Sequence, residues 1–125
     1  MNTDRHGINH LTECVIGCGF RVANELGVGF LERVYENALV HEVRKAGLGV
    51  SQQHPVTVLH DGVVVGDDAA DLLVERVLLV DVRSVRQLDG IHTAQCLNYL
   101  KATGLHLGLL LNCGTPRVEI KRIAL

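Results

Sequence analysis

The sequence predicts an α/β fold of the α+β type, in which helices pack against a mixed central sheet. Three observations predict this class. Apolar residues in the first third recur every three or four positions, as on one face of a helix. The middle third contains β-branched runs separated by turn residues, and a second helical period precedes two more apolar runs. The predicted order is α-α-β-β-β-β-α-β-β, within one domain spanning residues 1–125.

Two helices are predicted before residue 50. From Ile8 to Leu26, apolar residues fall at steps of three, four and seven and form one stripe. The segment ELGVGF then supplies two glycines, which end this helix. The second helix has an apolar face over residues 31–43, and Gly47 is a natural residue to end it. We therefore expect an amphipathic helical pair at the start of the fold.

Four strands are predicted next, because the apolar period changes to two after Gly49. Residues 56–59 form the first strand, and Asp61-Gly62 is a hairpin turn that leads into the second strand, VVV. Residues 72–74 and 77–83 form two more strands. Their apolar runs do not alternate with polar residues, which is typical of strands covered on both faces.

The last third of the chain predicts one helix and two strands. Apolar residues at helical spacing cover residues 90–102, and Gly104 ends this helix. The segment LGLLLN at 107–112 is a buried strand. After a turn, residues 117–125 alternate between polar and apolar side chains. This pattern predicts a strand at the edge of the sheet.

The charge and the aromatic content limit the kinds of partner. The net charge is −2 and the pI is about 6.4. Non-specific binding to nucleic acid depends on Lys and Arg that neutralise phosphates, so we expect any such binding to be weak. Aromatic residues make up 3% of the chain and there is no Trp, which excludes an extended base-stacking surface.

The sequence also predicts the compartment. No apolar run approaches the roughly 20 residues of a membrane-spanning helix, and the start MNTDRHGINH lacks the basic and apolar segments of a signal peptide. We expect a cytoplasmic location and no membrane partner.

The four cysteines contain no C-x-x-C pair and are expected to be reduced and mostly buried; they are Cys14, Cys18, Cys96 and Cys113.

The segment ADLLVERVLLVDVRSV places a carboxylate at each end of an apolar hairpin. A two-residue turn would pair Asp71 with Val80, whereas a three-residue loop would pair Asp71 with Asp81. In the second register the like charges need a cation between them, which either a divalent metal or Arg83 could supply. Taken alone, this pattern favours a plain ion pair over a metal site.

The chain resembles the bacterial GxxExxY proteins, small members of the PD-(D/E)XK nuclease-like superfamily. The motif that names this family stands here as GFLERVY, with Gly29, Glu32 and Tyr35. The resemblance continues through ADLLVE, HTAQCLNYLKATGLHLGLLLN and IKRI, and therefore covers about residues 8–125. It implies a restriction-endonuclease-like fold whose hairpin carries the catalytic acids, with Asp71 and Asp81 facing each other across a three-residue loop.

The resemblance also implies the site residues. Asp71 matches the first aspartate of the family pattern, Asp81 matches the acid of the (D/E)-x-K element, and Arg83 stands where the lysine would be. Gln95 and Tyr99 match a Q-x-x-x-Y helix element of nuclease relatives. These five residues are the candidate catalytic set.

The metal implied by the resemblance is Mg²⁺ or Mn²⁺. Asp71 and Asp81 would hold it, with Glu32 completing the shell. The reaction would be phosphodiester hydrolysis, in which the ion activates a water molecule and polarises the phosphoryl oxygen. If the site does not catalyse hydrolysis, we expect no cofactor.

Three departures from the family pattern surround this site. Asp81 is one methylene shorter than the usual glutamate, and Ala69 replaces a residue that is commonly basic. Arg83 is the most serious change, because a guanidinium stays protonated and cannot serve as a base.

Two hypotheses about function follow. The chain is either a weak or inactive metal-dependent nuclease, or a non-catalytic module that binds nucleic acid or protein. The sequence leaves open the substrate and whether the chain forms a homo-oligomer.

Overall fold

A computed structural model describes residues 5–125 and contains three helices and five strands within that range. Most predicted elements are confirmed, and the second predicted helix begins one residue later, at Glu32, and ends at Lys45. In chain order the elements are α1 (Arg5–Leu26), α2 (Glu32–Lys45), β1 (Val50–His60), β2 (Val63–Val74), β3 (Leu78–Arg83), α3 (Gly90–Thr103), β4 (Leu107–Asn112) and β5 (Glu119–Ala124).

The predicted strand count before α3 was wrong by one. The segment VVV and residues 72–74 lie in the same strand, β2, so the order is α-α-β-β-β-α-β-β. Residues 66–69 include two aspartates but no turn. They pair with β1 in the register Val58↔Gly66 through Pro55↔Ala69. The backbone hydrogen bonds to β1 therefore keep this polar stretch extended.

The five strands form one mixed sheet in the order β1-β2-β3-β4-β5. Neighbouring strands are antiparallel except β3 and β4, which are parallel and are connected through α3. Strand β5 lies at one edge, as the sequence predicts. The mixed sheet and its helices confirm the predicted restriction-endonuclease-like fold class.

The two faces of the sheet bury separate cores. Leu78, Val80 and Val82 of β3 pack into the core that contains α1 and α2. Leu79, between them, packs into the core that contains α3. Since alternate residues of a strand point to opposite faces, the side chain of Arg83 points to the α3 side of the sheet. This face carries three of the candidate catalytic residues, Arg83, Gln95 and Tyr99.

The loop between β2 and β3 has the three-residue form. Val74 pairs with Leu78, so residues 75–77 form the loop, and the Val77 N–H donates a hydrogen bond to the Val74 carbonyl over 3.1 Å. Glu75 and Arg76 adopt φ angles of 52° and 61°. Two left-handed residues in succession match the twist of the flanking strands. This register brings Asp71 level with Asp81.

Two further observations concern residues 5–125. None of the helices that they form is both long and apolar enough to cross a membrane. The four cysteines are free, and all except Cys14 are buried, as the sequence predicts.

Candidate functional site

Asp71 and Asp81 lie where β2 and β3 separate. The ladder between these strands includes Leu72↔Val80 as its last pair before Asp71. Beyond it, the Asp71 N–H donates to Asp81 Oδ1 over 3.3 Å, and the Val82 N–H donates to Asp71 Oδ2 over 2.7 Å. Each carboxylate therefore satisfies a backbone donor at the position where the ladder ends, and the two acids are held side by side.

The pKa values of both aspartates are raised. Burial raises the pKa of Asp71 to about 6; the nearby charge of Asp81 acts in the same direction, and the Val82 N–H opposes it. Asp81 is 1% exposed, and burial raises the pKa of its carboxyl as well. The Oδ2 atom of Asp81 is buried and has no hydrogen-bond partner. The pair therefore favours a proton or a cation as a partner.

Arg83, two residues after Asp81 on β3, belongs to a line of polar side chains that extends over α3. One terminal nitrogen lies 3.6 Å from Glu32 Oε1, and the other donates to Gln95 Oε1. The Gln95 amide donates to the Tyr99 hydroxyl over 3.0 Å, and that hydroxyl donates to Asp68 Oδ2 over 2.6 Å. Burial, followed by the bond to Asp68, raises the pKa of Tyr99. The structure thus brings together three predicted catalytic residues and Glu32.

The motif GFLERVY has a structural explanation. Gly29 has a φ angle of 110°, which favours glycine. The Tyr35 hydroxyl donates to the Gly27 carbonyl over 2.5 Å and accepts from the Phe30 N–H over 3.2 Å. Tyr35 therefore fixes the loop before α2. Glu32 is the first residue of that helix, directed towards β3, where it accepts from the Ser84 N–H over 3.3 Å.

A second polar cluster, which was not predicted from the sequence, lies beside Asp71. The Gln53 amide lies 3.4 Å from Asp71 Oδ1 and about equally close to both carboxylate oxygens of Glu36, at 3.1 and 3.0 Å. Glu36 is 4% exposed and also accepts from Gln52 over 2.6 Å. One feature of the sequence could have indicated Glu36. It stands four residues after Glu32, and residues at this spacing share one face of a helix.

Gln53 has a left-handed backbone, with a φ angle of 54°. The β1–β2 register pairs Gln52 with Leu72 and His54 with Ala70, and leaves Gln53 opposite Asp71 without a ladder pair. Backbone strain of this kind is concentrated at functional sites. Here it allows the side chains of the adjacent Gln52 and Gln53 to reach the same carboxylate.

Asp68 was also missed, although it lies in the same strand as Asp71. Its Oδ2 accepts from the Tyr99 hydroxyl, and its Oδ1 accepts from the Ala69 N–H over 2.8 Å. An aspartate three residues before a predicted catalytic acid offers no distinctive spacing. The contact depends on the way α3 packs across the sheet, which sequence analysis could not provide.

Two cavities open on these residues. The larger, of about 990 Å³, is lined by Arg83, Gln95, Tyr99 and Asp68 together with apolar residues of β1 and α3. The smaller, of about 560 Å³, is lined by Asp71, Glu36 and Gln53 with other residues. Glu32 lines both cavities. Its ion pair with Arg83 therefore lies where the two cavities come together.

The sequence matches the family model of the PD-(D/E)XK nuclease superfamily over residues 9–123. This match covers nearly the whole chain. The chain belongs to the PD-(D/E)XK nuclease superfamily.

One solved structure of this fold is an alkaline exonuclease from Laribacter hongkongensis, with a TM-score of 0.55 and 12% sequence identity. The superposition covers 99% of this chain and 72% of the exonuclease. At this identity the likeness shows the fold alone. No curated protein matches the sequence.

Nucleases of this superfamily typically use divalent metal ions, and the residues present fit such an ion in part. Asp71 and Asp81 supply hard oxygen donors, and the partnerless Asp81 Oδ2 is an acceptor that an ion would satisfy. Glu32 fits less well, because it pairs with Arg83. Among the side chains described, those of residues 7–125, no three His, Cys, Asp or Glu are grouped so that they could hold a metal ion.

Proposed function

We propose that this protein hydrolyses phosphodiester bonds of nucleic acid in a divalent-metal-dependent reaction, and that Arg83 makes this reaction weak. The fold and the superfamily support the reaction class. The observation that supports weak activity is the position of the Arg83 guanidinium. It is held by Glu32 on one side and by Gln95 on the other.

Asp71 and Asp81 are the residues that would hold Mg²⁺ or Mn²⁺. When bound, a divalent ion lowers the pKa of a coordinated water molecule and stabilises charge on the phosphoryl oxygen. The raised pKa of Asp71, about 6, indicates that the buried pair carries unfavourable negative charge without a cation. Positive charge beside both carboxylates is therefore stabilising.

Arg83 and Gln95 are the residues that would contact the phosphate. A guanidinium binds phosphate through two parallel N–H donors and stays protonated at physiological pH. A lysine at this position could release a proton and help to activate the attacking water, which the guanidinium cannot do. Arg83 can therefore position a phosphate and neutralise charge, but it provides no base.

A second candidate function is a non-catalytic module that binds nucleic acid or protein. This function is favoured by the ion pair between Glu32 and Arg83, because Glu32 is the carboxylate expected to complete the metal shell. On this hypothesis the site keeps its shape and its phosphate contact but not its ion.

Cleavage assays separate the two functions. Short single-stranded and duplex DNA, and RNA of the same sequence, are incubated with excess protein in Mg²⁺, in Mn²⁺ or in EDTA. We expect slow cleavage by the parent protein with metal, no cleavage in EDTA, and no cleavage by Asp71→Ala. Asp67→Ala is the matched control, because Asp67 is an exposed aspartate of the same strand. Cleavage that survives Asp71→Ala, or no cleavage by either the parent protein or Arg83→Lys, would overturn the proposed enzyme.

A further inference from the structure

The larger cavity is a cleft whose two walls carry exposed apolar side chains. Residues of β1 form one wall, including Val58 and Leu59, which are 41% and 60% exposed. Residues of α3 form the other wall, including Ala94 and Ile91, which is 73% exposed. Apolar side chains exposed beside a line of polar groups are typical of a ligand site. The cleft is continuous with the proposed phosphate contact, because Arg83 lines it.

The cleft carries little positive charge. Its cationic side chains are Arg83 and Lys101, and Lys101 has no ion pair among the side chains described for residues 7–125. Two carboxylates also line the cleft. Glu32 forms an ion pair with Arg83, and Asp68 accepts a hydrogen bond from the Tyr99 hydroxyl. A DNA duplex carries one negative charge per roughly 1.7 Å of its axis, and proteins that hold it neutralise many phosphates. This cleft is suited to a few phosphates only.

The surroundings of the cleft favour unpaired bases. In a duplex the faces of the bases are stacked inside, so a protein meets phosphates and base edges. In a single strand the faces can be splayed out and held between apolar side chains. The volume of about 990 Å³ lies near the upper end of ordinary small-ligand sites, which span about 300–1,000 Å³. That size suits one or two nucleotides.

We propose that this cleft binds unpaired nucleotides of a single-stranded segment or end, with a phosphate at Arg83 and the bases between β1 and α3. The inference rests on the proposed function, because that function assigns Arg83 as the phosphate contact. It adds the class of substrate, which neither the superfamily nor the fold defines.

Asn98 is the residue in the cleft that is suited to contact a base edge. It is exposed on α3 and lines the cleft, and its amide offers both donors and an acceptor. The amide of Gln95, one turn earlier, is already used by Arg83 and Tyr99. The Asn98 amide makes no hydrogen bond to the side chains and backbone described for residues 7–125. It is therefore available to a ligand.

Fluorescence anisotropy in EDTA tests binding without cleavage. The probes are a short labelled single-stranded DNA, the RNA of the same sequence, and the DNA duplex. We expect the DNA or RNA single strand to bind at least about tenfold more tightly than the duplex. Val58→Asp, which places a charge in the wall, should weaken single-strand binding by about tenfold or more. Leu59→Asp is a second wall variant for use if Val58→Asp does not fold.

Val63→Asp is the matched control. Val63 is 61% exposed on the same hairpin but does not line the cleft, so this variant should bind like the parent protein. Duplex binding as tight as single-strand binding, or equal losses in Val58→Asp and Val63→Asp, would overturn the proposal. So would the absence of binding to any probe, which would instead point to a protein partner for the apolar walls.

The two proposals fail in different ways. Tight single-strand binding without cleavage by Arg83→Lys would contradict the proposed hydrolysis and leave the cleft assignment intact. Cleavage of duplex alone by Arg83→Lys would contradict the cleft assignment and leave the proposed hydrolysis intact.

Discussion

Arg83 differs from a lysine in how firmly the protein holds it. A lysine presents one ammonium on a flexible stem, whereas the guanidinium is a planar fork. In this protein the two terminal nitrogens contact Glu32 and Gln95, and Nε is buried without a partner. Two protein side chains therefore contact the cation, and one of them is Glu32, which the family resemblance implies as a metal ligand.

Asp71→Asn is expected to stabilise the protein above pH 6. A carboxyl with a higher pKa in the folded than in the unfolded state binds its proton more tightly when folded. The free energy of unfolding therefore falls as the pH rises from about 4 to about 6, the window between the ordinary pKa of Asp71 and its raised value. The amide removes this cost and still accepts from the Val82 N–H. After an allowance for partial exposure, the expected gain is about 1–2 kcal/mol at pH 8.

Urea unfolding of the parent protein and Asp71→Asn at pH 8 and at pH 4.5 measures this effect. The gain should be present at pH 8 and shrink at pH 4.5, where the parent carboxyl is protonated. Asp67→Asn, an exposed substitution on the same strand, should change neither value. An Asp71→Asn protein that is no more stable than the parent at pH 8 would contradict the raised pKa.

Individual residues of the site could be predicted from sequence only where a motif marks them. The D…D-x-R hairpin indicated Asp71 and Asp81, which the structure holds side by side. The Q-x-x-x-Y helix indicated Gln95 and Tyr99, which lie on one polar line with Arg83.

The sequence did not indicate a role for Glu36, Gln53 or Asp68, because their contacts depend on how α2 and α3 lie across the sheet. The strained backbone of Gln53 has no signature in a sequence, since glutamine rarely adopts a positive φ.

At the scale of secondary-structure elements, the loop between β2 and β3 decides the geometry of the site. The residue pattern alone left two registers open, because neither Glu75 nor Arg76 is a residue that signals a left-handed turn. The family resemblance implied the three-residue loop, which the structure confirms. The structure has Glu75 and Arg76 in the left-handed conformation, and the resulting register places Asp71 level with Asp81. The Asp61-Gly62 hairpin, by contrast, was predictable, because its residues are those that such a turn requires.

The packing of α3 on β4 depends on Gly108. A Cβ atom at this position would lie 2.7 Å from Cys96 Sγ and 3.5 Å from the Leu79 carbonyl oxygen. Because Cys96 is fully buried, α3 would have to shift. We expect Gly108→Ala to lower the free energy of unfolding by about 1–3 kcal/mol, and the double variant with Cys96→Ala to recover part of that loss.

Denaturant unfolding of these variants provides the test. Gly17→Ala is the matched control, because no atom would lie within 4 Å of its Cβ and the residue is in the middle of α1. It should raise stability, by up to about 1 kcal/mol, since alanine favours a helix. If Gly108→Ala is as stable as the parent protein, the close contact between α3 and β4 is not as described.

At the scale of the whole molecule, candidate site residues line one cavity beside α3 and another beside α2. One face of the sheet packs on α1 and α2, and Asp71 lines the smaller cavity with Glu36 of α2. The other face carries α3 and the polar line from Arg83 to Asp68. The fold class was predictable, because hydrophobic period and turn residues define it. The likeness to an exonuclease at 12% identity extends to the fold alone. The single domain, the cytoplasmic location and the oligomeric state stay predictions or open questions.

The central claim is that Arg83 weakens the reaction of a site that keeps Asp71 and Asp81 as candidate metal ligands. The most direct test is the rate of cleavage of the same nucleic acid, in Mn²⁺ with excess protein, by the parent protein, Arg83→Lys and the exposed control Arg86→Lys. We predict that Arg83→Lys cleaves at least about 100-fold faster than the parent, which is the scale of one positioned acid–base group, and that Arg86→Lys matches the parent. A parent protein that cleaves as fast as Arg83→Lys would contradict the claim.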